Sequence, residues 1–418
     1  MPDLLITGCS QLITLQGPVP RRGHALSDLA IIRDGALLVG DDRIRAIGPR
    51  RQVERLPDAR RAEKLNLRGR VVLPGFVDSH THLIFPASRV AEYERRIEGK
   101  TYAQSARKGG GIRSTVEALR RTSPVLLKDR ALKFLYEFAA HGTTTFEAKS
   151  GYGLNWKNEV KILKILCELD REQPLDIVRT FLGAHVVPPE FSRRPNAWVD
   201  LLAKRLIPAV AKAGLAGFCD AFCERGAFTL AQARKVLDAG RACGLVPRVH
   251  AEQLTHTGAA RLAVELDAAS ADHLEKLNRA DIRTLGLSNV VCTLLPGCSF
   301  HLGLSHFAPA RELIAAGAIV ALATDFNPGT SPTVSMPMIL SLACTQMRMT
   351  PAEAIAAATI NPAYSLRLHD RLGSLDVGKY ADLAAFEVAD YREIPYYFGV
   401  NFCSMTMKRG VVIHSKKM

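Results

Sequence analysis

The sequence predicts an α/β fold: a (β/α)8 TIM-like barrel with a small β-sandwich domain formed from both chain termini. Three observations predict it. The middle of the chain alternates short β-branched apolar runs with helix-length patterns. Both ends read as strands joined by tight turns. Polar residues able to bind an ion close several of the middle strands, and a closed barrel gathers such ends around one axis. A length of 418 residues exceeds the usual single core, and a barrel with a companion domain accounts for it.

The elements follow in order. Ala36–Val39, then Gly40-Asp41-Asp42, then Arg43–Ile47 is a hairpin signal. The eight middle strands are read as Val71 to His80, Thr143 to Lys149, Asp176 to His185, Gly217 to Phe222, Val246 to Glu252, Asp267 to His273, Val290 to Leu295 and Ile319 to Phe326. Helical patterns separate most of them. Asn158 to Leu169 carries Val160, Ile162, Leu163, Ile165 and Leu166; Leu230 to Ala242 behaves similarly. Pro309 to Ala316 begins on a proline, which costs no hydrogen bond at the first helical position. The C-terminal end reads as Ala381–Phe386, Met405–Met407, the turn Lys408-Arg409-Gly410, and Val411–Ile413. The predicted division is therefore 1–69 with 368–418 for the small β domain and 70–367 for the barrel.

Composition narrows the function classes. Hydrophobic residues at 47% and charged residues at 23% are ordinary for a folded chain. The longest apolar run, Leu313 to Ala323, contains Gly317 and is too short to span a bilayer. The N-terminus lacks the basic and apolar regions of a secretory signal. Nine cysteines without regular spacing point to reduced thiols and a cytoplasmic protein. Cys219 and Cys223 lie four apart with no second pair, which argues against a cysteine zinc site. The net charge of +14 is dispersed and no nucleic-acid-binding pattern accompanies it, so no nucleic-acid partner is expected; a basic surface also attracts anionic substrates. No GxGxxG follows the first strand, and Gly109-Gly110-Gly111 lacks the Walker lysine. It reads as a flexible loop near the site.

The chemistry concentrates in Asp78-Ser79-His80-Thr81-His82. Residues i and i+2 of a strand face the same side, so His80 and His82 project together from the barrel's C-terminal mouth, where two imidazoles suit a divalent metal. His185, His250, His273 and Asp325 close other strands. The last strand closes against the first, which brings Asp325 beside His80 and His82.

The run Val72-Leu73-Pro74-Gly75-Phe76-Val77-Asp78-Ser79-His80-Thr81-His82 resembles the opening motif of the amidohydrolase superfamily. Asn361-Pro362-Ala363 with Gly373-Ser374-Leu375-Asp376-Val377-Gly378-Lys379-Tyr380-Ala381-Asp382-Leu383 is similar to that superfamily's C-terminal signature. Finer features resemble its imidazolonepropionase family: Thr101-Tyr102 with Gly109-Gly110-Gly111-Ile112, Glu147 to Leu154, Asp220 to Glu224, His250-Ala251-Glu252-Gln253, Asp325 to Thr330, and Tyr391 to Asn401. Together they span nearly the whole chain in the right order.

The resemblance implies hydrolysis of the cyclic amide of 4-imidazolone-5-propanoate to N-formimidoyl-L-glutamate, and a homodimer. Binuclear members usually carry a carboxylated lysine on strand four; Gly217–Phe222 has none, and Lys149 ends strand two. One divalent ion, zinc or iron, is therefore expected on His80, His82, His250 and Asp325. Asp325 is expected to accept the proton of the attacking water. Glu252, two residues past His250, is expected to face the same mouth and pass a proton to the leaving ring nitrogen. His273 is assigned to holding the water or stabilising the oxyanion. Arg89, seven residues past His82, is the cation expected for the propanoate. Tyr152, His185 and Gln253 match family positions at the ring, and Asn327, Gly329 and Thr330 match positions that contact substrate or product; Tyr102 is a further candidate. A purine or pyrimidine aminohydrolase would share the barrel and metal without needing Arg89 or the Tyr152 loop. A non-catalytic scaffold relative would typically have lost metal ligands, which are all present here.

Overall fold

The computed structural model describes residues 3–99 and 111–416. Tyr102, Gly109 and Gly110 lie outside the described residues. Four N-terminal strands open the chain: β1 (Leu4–Ile13), β2 (Ile31–Gly40), β3 (Arg43–Pro49) and β4 (Glu63–Pro74). The β2–β3 hairpin turns on Asp41 and Asp42, whose φ values of 50° and 67° suit the two-residue turn that follows strand twist.

The barrel strands follow: β5 (Phe76–Asp78), β6 (Thr143–Lys149), β7 (Asp176–Ala184), β8 (Phe218–Cys223), β9 (Val246–Ala251), β10 (Ser270–His273), β11 (Val291–Leu294) and β12 (Ile319–Leu322). They pair consecutively and in parallel from β5 to β12. Being buried on both faces, such strands read as apolar runs rather than alternating ones. The ends of the sheet meet beyond the regular ladder. Asp325 N donates to His80 O at 3.0 Å and His82 N donates to Phe326 O at 2.8 Å. Below them Thr324 donates its amide and hydroxyl to the buried Asp78 carboxylate, at 3.1 and 2.5 Å.

The last strands are β13 (Leu383–Phe386), β14 (Cys403–Lys408) and β15 (Val411–Ser415). They join the N-terminal strands in one seven-stranded mixed sheet, ordered β15-β14-β13-β4-β1-β2-β3. The small domain is thus a single hydrogen-bonded sheet from both termini, with its own core of Ile6, Leu12, Leu37, Ile44, Leu383 and Met407. Phe386 meets Phe76 of the barrel edge-to-face, with centroids 5.9 Å apart.

Two sequence expectations shift. The run Val71 to His80 is not one barrel strand. Val71–Pro74 finishes β4, paired with β13 in the small sheet, and the barrel strand starts at Phe76. Gly75 marks the transfer: a Cβ there would lie 2.2 Å from Thr144 Cγ2, so only glycine lets the chain pass this close to β6. The small sheet consequently runs beyond residue 70, through one unbroken apolar stretch. Pro309 also stands just outside its helix, as the N-cap of Ala310–Ala315. The other two helices extend as Trp156–Glu172, capped by Asn155, and Leu230–Ala242, opened by a Thr229–Gln232 capping box. No described helix is long and apolar enough to cross a membrane.

Candidate metal centre and active site

The mouth of the barrel gathers the histidines from separate strand ends. Ring centroids of His80 and His82 are 5.4 Å apart, those of His80 and His250 4.5 Å, and those of His250 and His273 5.4 Å. Nε2 of His80 and Nε2 of His82 each lie 3.6 Å from Asp325 Oδ1. That is too long for a good hydrogen bond. It matches the separation of roughly 3.4 Å between two ligands each about 2.1 Å from one tetrahedral ion. The buried Nε2 atoms of His80 and His250 have no hydrogen-bond partner. His80, His82 and Asp325 each offer a ligand atom within 4.8 Å of the others, as do His80, His250 and His273. The donor set therefore fits a divalent cation. Burial first, then the positive neighbours, holds His80 and His82 well below the usual imidazole range, which leaves their lone pairs available.

Behind these rings lies a layer that spacing alone did not identify. Asp272 Oδ2 is 2.7 Å from His80 Nδ1, and Asp220 Oδ1 is 3.1 Å from His250 Nδ1. A carboxylate on Nδ1 fixes the tautomer and aims Nε2 at the ion. Both carboxylates converge on Lys149. Its Nζ is 2.8 Å from Glu147, 2.9 Å from Asp220 and 3.7 Å from Asp272, all fully buried. Lys149 thus serves an internal ion cluster and does not reach the cavity. The signal in the sequence was an acidic residue inside each of two short barrel strands that are wholly buried, Asp220 within Phe218–Cys223 and Asp272 within Ser270–His273.

One cavity joins His82, His250, His273 and Asp325 to Arg89, Tyr152, His185, Gln253, Asn327 and Thr330. Ile112, Phe222, Leu254 and Leu302 supply apolar wall, a role that the sequence reading did not assign to them. His185 stacks on His82 with centroids 5.1 Å apart and an interplanar angle of 15°; its Nδ1 is 3.1 Å from Gly151 O. Tyr152 tilts against both rings, at 5.7 Å from His82 and 5.4 Å from His185. Gln253 Nε2 donates to Cys298 Sγ at 3.5 Å. Asn327 organises the turn after Asp325: its Nδ2 donates to Asp325 O at 2.6 Å, and its Oδ1 accepts from the amides of Gly329 and Thr330.

Glu252 does not take its expected place. β9 ends at Ala251, and Glu252 adopts a left-handed φ of 54°, so the two-residue alternation stops before it. Its carboxylate turns back to accept from Thr257 N at 2.6 Å and Ala260 N at 3.1 Å, bracing the start of the helix Ala259–Glu265. The next residue, Gln253, reaches the cavity instead. His273 and Asp325 also have positive φ, 82° and 51°. Left-handed non-glycine residues are costly and gather at sites that use them.

Gly329 is likewise not among the residues that line the cavity; it backs Arg89. Glu92 Oε2 accepts from Arg89 Nε and Nη2 at 3.1 and 2.7 Å, while Glu92 Oε1 accepts from Gly111 N at 2.9 Å. A Cβ on Gly329 would lie 2.2 Å from Arg89 Nη1. Gly329→Ala should therefore displace the guanidinium and raise KM for a carboxylate substrate by roughly tenfold, the loss of about 1.4 kcal/mol from one charged contact. Steady-state kinetics would read this; an unchanged KM would separate Arg89 from substrate binding.

Residues 71–413 match the amidohydrolase family. An imidazolonepropionase from Solibacter usitatus (strain Ellin6076) is 49% identical over 400 residues, covering 96% of this chain and 96% of its own. Another from Geobacillus kaustophilus (strain HTA426) is 46% identical over 420 residues, covering 99% and 98%. Among solved structures, a triazine hydrolase variant superposes with a TM-score of 0.79 at 18% identity, covering 99% of this chain and 95% of that one. An adenosine deaminase from Xanthomonas campestris with bound zinc gives 0.71 at 18%, covering 98% and 92%. At these identities the solved structures show the fold.

Proposed function

We propose, of a chain that belongs to the amidohydrolase family, that its mouth-of-barrel site is built for one substrate: the imidazolone ring of 4-imidazolone-5-propanoate, held by its propanoate. The chain is a hydrolase of carbon–nitrogen bonds in cyclic amides, and the reaction yields N-formimidoyl-L-glutamate in histidine degradation. The observation that carries the detailed reading is that the imidazole–carboxylate donor set and Arg89 open into the same cavity.

His80, His82, His250 and Asp325 would hold one divalent ion, zinc or iron, whose chemistry is to polarise the amide carbonyl and to acidify a water. The remaining work falls to the chain. Asp325, beside His80 and His82, accepts the proton of the attacking water and returns it to the departing ring nitrogen, a role that the placement of Glu252 leaves to it. His273 stabilises the charge that develops on the carbonyl oxygen. Glu275 Oε1 lies 3.8 Å from its Nδ1; although burial opposes protonation, the nearby Glu275 carboxylate raises the imidazole above its usual range. Tyr152, His185 and Gln253 orient the ring, and Thr330 and Asn327 border it. Arg89, preset by Glu92, binds the propanoate.

The direct test is incubation with freshly prepared imidazolone propanoate, following loss of the imidazolone absorbance with and without a chelator. Chelator-sensitive ring opening is expected; its absence in the metal-loaded protein would overturn the substrate assignment. Ammonia release from guanine or cytosine would favour an aminohydrolase instead. Arg89→Ala should raise KM by about 10–100-fold with little change in kcat, because the lost contact binds ground state and transition state alike. An unchanged KM would assign the carboxylate to another cation.

A further inference from the structure

Beside the expected ligand set stands a nucleophilic side chain that the reaction does not use. Cys298 belongs to the short helix Pro296–His301 and is 1% exposed. Its sulfur, a ring nitrogen of His273 and a carboxylate oxygen of Asp325 all lie within 4.8 Å of one another. His273 and Asp325 are each 2% exposed. The buried Nδ1 of His273 has no hydrogen-bond partner. A thiol, an imidazole and a carboxylate at this spacing form a ligand triad of their own, distinct in softness from its neighbour. The first set is imidazole and carboxylate, which suits zinc or iron; adding a thiol selects softer cations.

We propose that Cys298, His273 and Asp325 form a second, inhibitory site for a thiophilic divalent cation, such as cadmium or zinc in excess, sharing Asp325 with the first site. Binding breaks the S–H bond and forms a sulfur–metal bond. The thiol proton leaves to solvent together with the imidazolium proton that Glu275 favours on His273, and nothing is oxidised or reduced. The cation displaces Gln253 from its 3.5 Å contact with the sulfur. It also engages His273 and Asp325, and so blocks turnover. The inhibitory part rests on the roles proposed for those two residues; the binding part does not.

The test uses the full chain loaded with one equivalent of zinc and titrated with cadmium. Calorimetry follows binding, ultraviolet absorption follows the thiolate-to-cadmium charge transfer, and ring opening is assayed in parallel. The wild-type protein should take up one further equivalent with zinc content unchanged, develop the charge-transfer band, release protons as it does so, and lose activity that a chelator restores. Cys298→Ser should keep its zinc and basal turnover and show no such band. Losing an outer-sphere partner alone weakens metal binding about 10–100-fold, so losing a direct ligand should weaken this step by at least about tenfold. The proposal is overturned if the wild-type protein takes no further equivalent, or if Cys298→Ser takes it with undiminished affinity. A bound second cation that leaves ring opening intact would overturn the inhibitory part, and with it the roles of His273 and Asp325, while leaving the binding site standing.

Discussion

Asp325→Asn lowers kcat by roughly three orders of magnitude on this account, while the protein stays folded. Loss of a positioned proton acceptor typically costs about 10²–10⁴-fold, and the amide is also a poorer metal ligand than the carboxylate. Asp325 is placed for both tasks. Its Oδ1 stands 3.6 Å from the Nε2 atoms of His80 and His82, and its backbone N–H closes the barrel onto His80 O. The closing bond is a backbone interaction and survives the substitution. Single-turnover ring opening, with bound metal measured in the same sample, would check this. Turnover within tenfold of the wild-type value would show that the proton goes elsewhere.

Lys149→Met should destabilise the chain by about 3–5 kcal/mol, the usual effect of removing one partner from a buried ion pair. The ammonium sits between Glu147, Asp220 and Asp272, with no solvent to take over its charge. The nearest remaining cation is Arg248, whose Nη2 is 3.6 Å from Asp272. Without Lys149, Glu147 and Asp220 would have to be protonated or drawn apart, and Asp220 orients the His250 ring. The denaturant midpoint at fixed metal concentration should fall, and metal affinity should fall with it. A midpoint unchanged from the wild-type value would mean that the cluster relaxes without cost.

The barrel was legible because its parallel strands, buried on both faces, are short and separated by helical patterns, and some, such as Ile319–Leu322, are uninterrupted apolar runs. The same property hid the domain boundary. The end of β4, Val71–Pro74, runs on through Gly75 into Phe76 and Val77 of β5 as one apolar stretch, and only the close approach of Gly75 to Thr144 marks where the chain leaves the small sheet for the barrel. His80 and His82 were legible because they extend beyond a strand and remain extended, pairing with the segment Asp325–Phe326. Glu252 was misplaced for the opposite reason: its left-handed backbone ends the alternation on which the reading relied. Asp220 and Asp272 lay in plain view, but their task is to face the far nitrogens of histidines from other strands, the neighbouring strand for Asp220 and one across the barrel for Asp272, a contact that no single strand reveals. Glu92 escaped similarly, and Gly329 was read as a contact to substrate or product and not as the backing of Arg89. Each acts through Arg89, and their meeting depends on two loops distant in the chain.

The account depends on a shared cation at the rim of the barrel. Anomalous diffraction from crystals loaded with one equivalent of zinc or iron tests this most directly. It should give one peak per chain, about 2.0–2.2 Å from Nε2 of His80, His82 and His250 and from a carboxylate oxygen of Asp325. A peak that leaves out His250 or Asp325, or a pair of peaks bridged across Lys149, would contradict it.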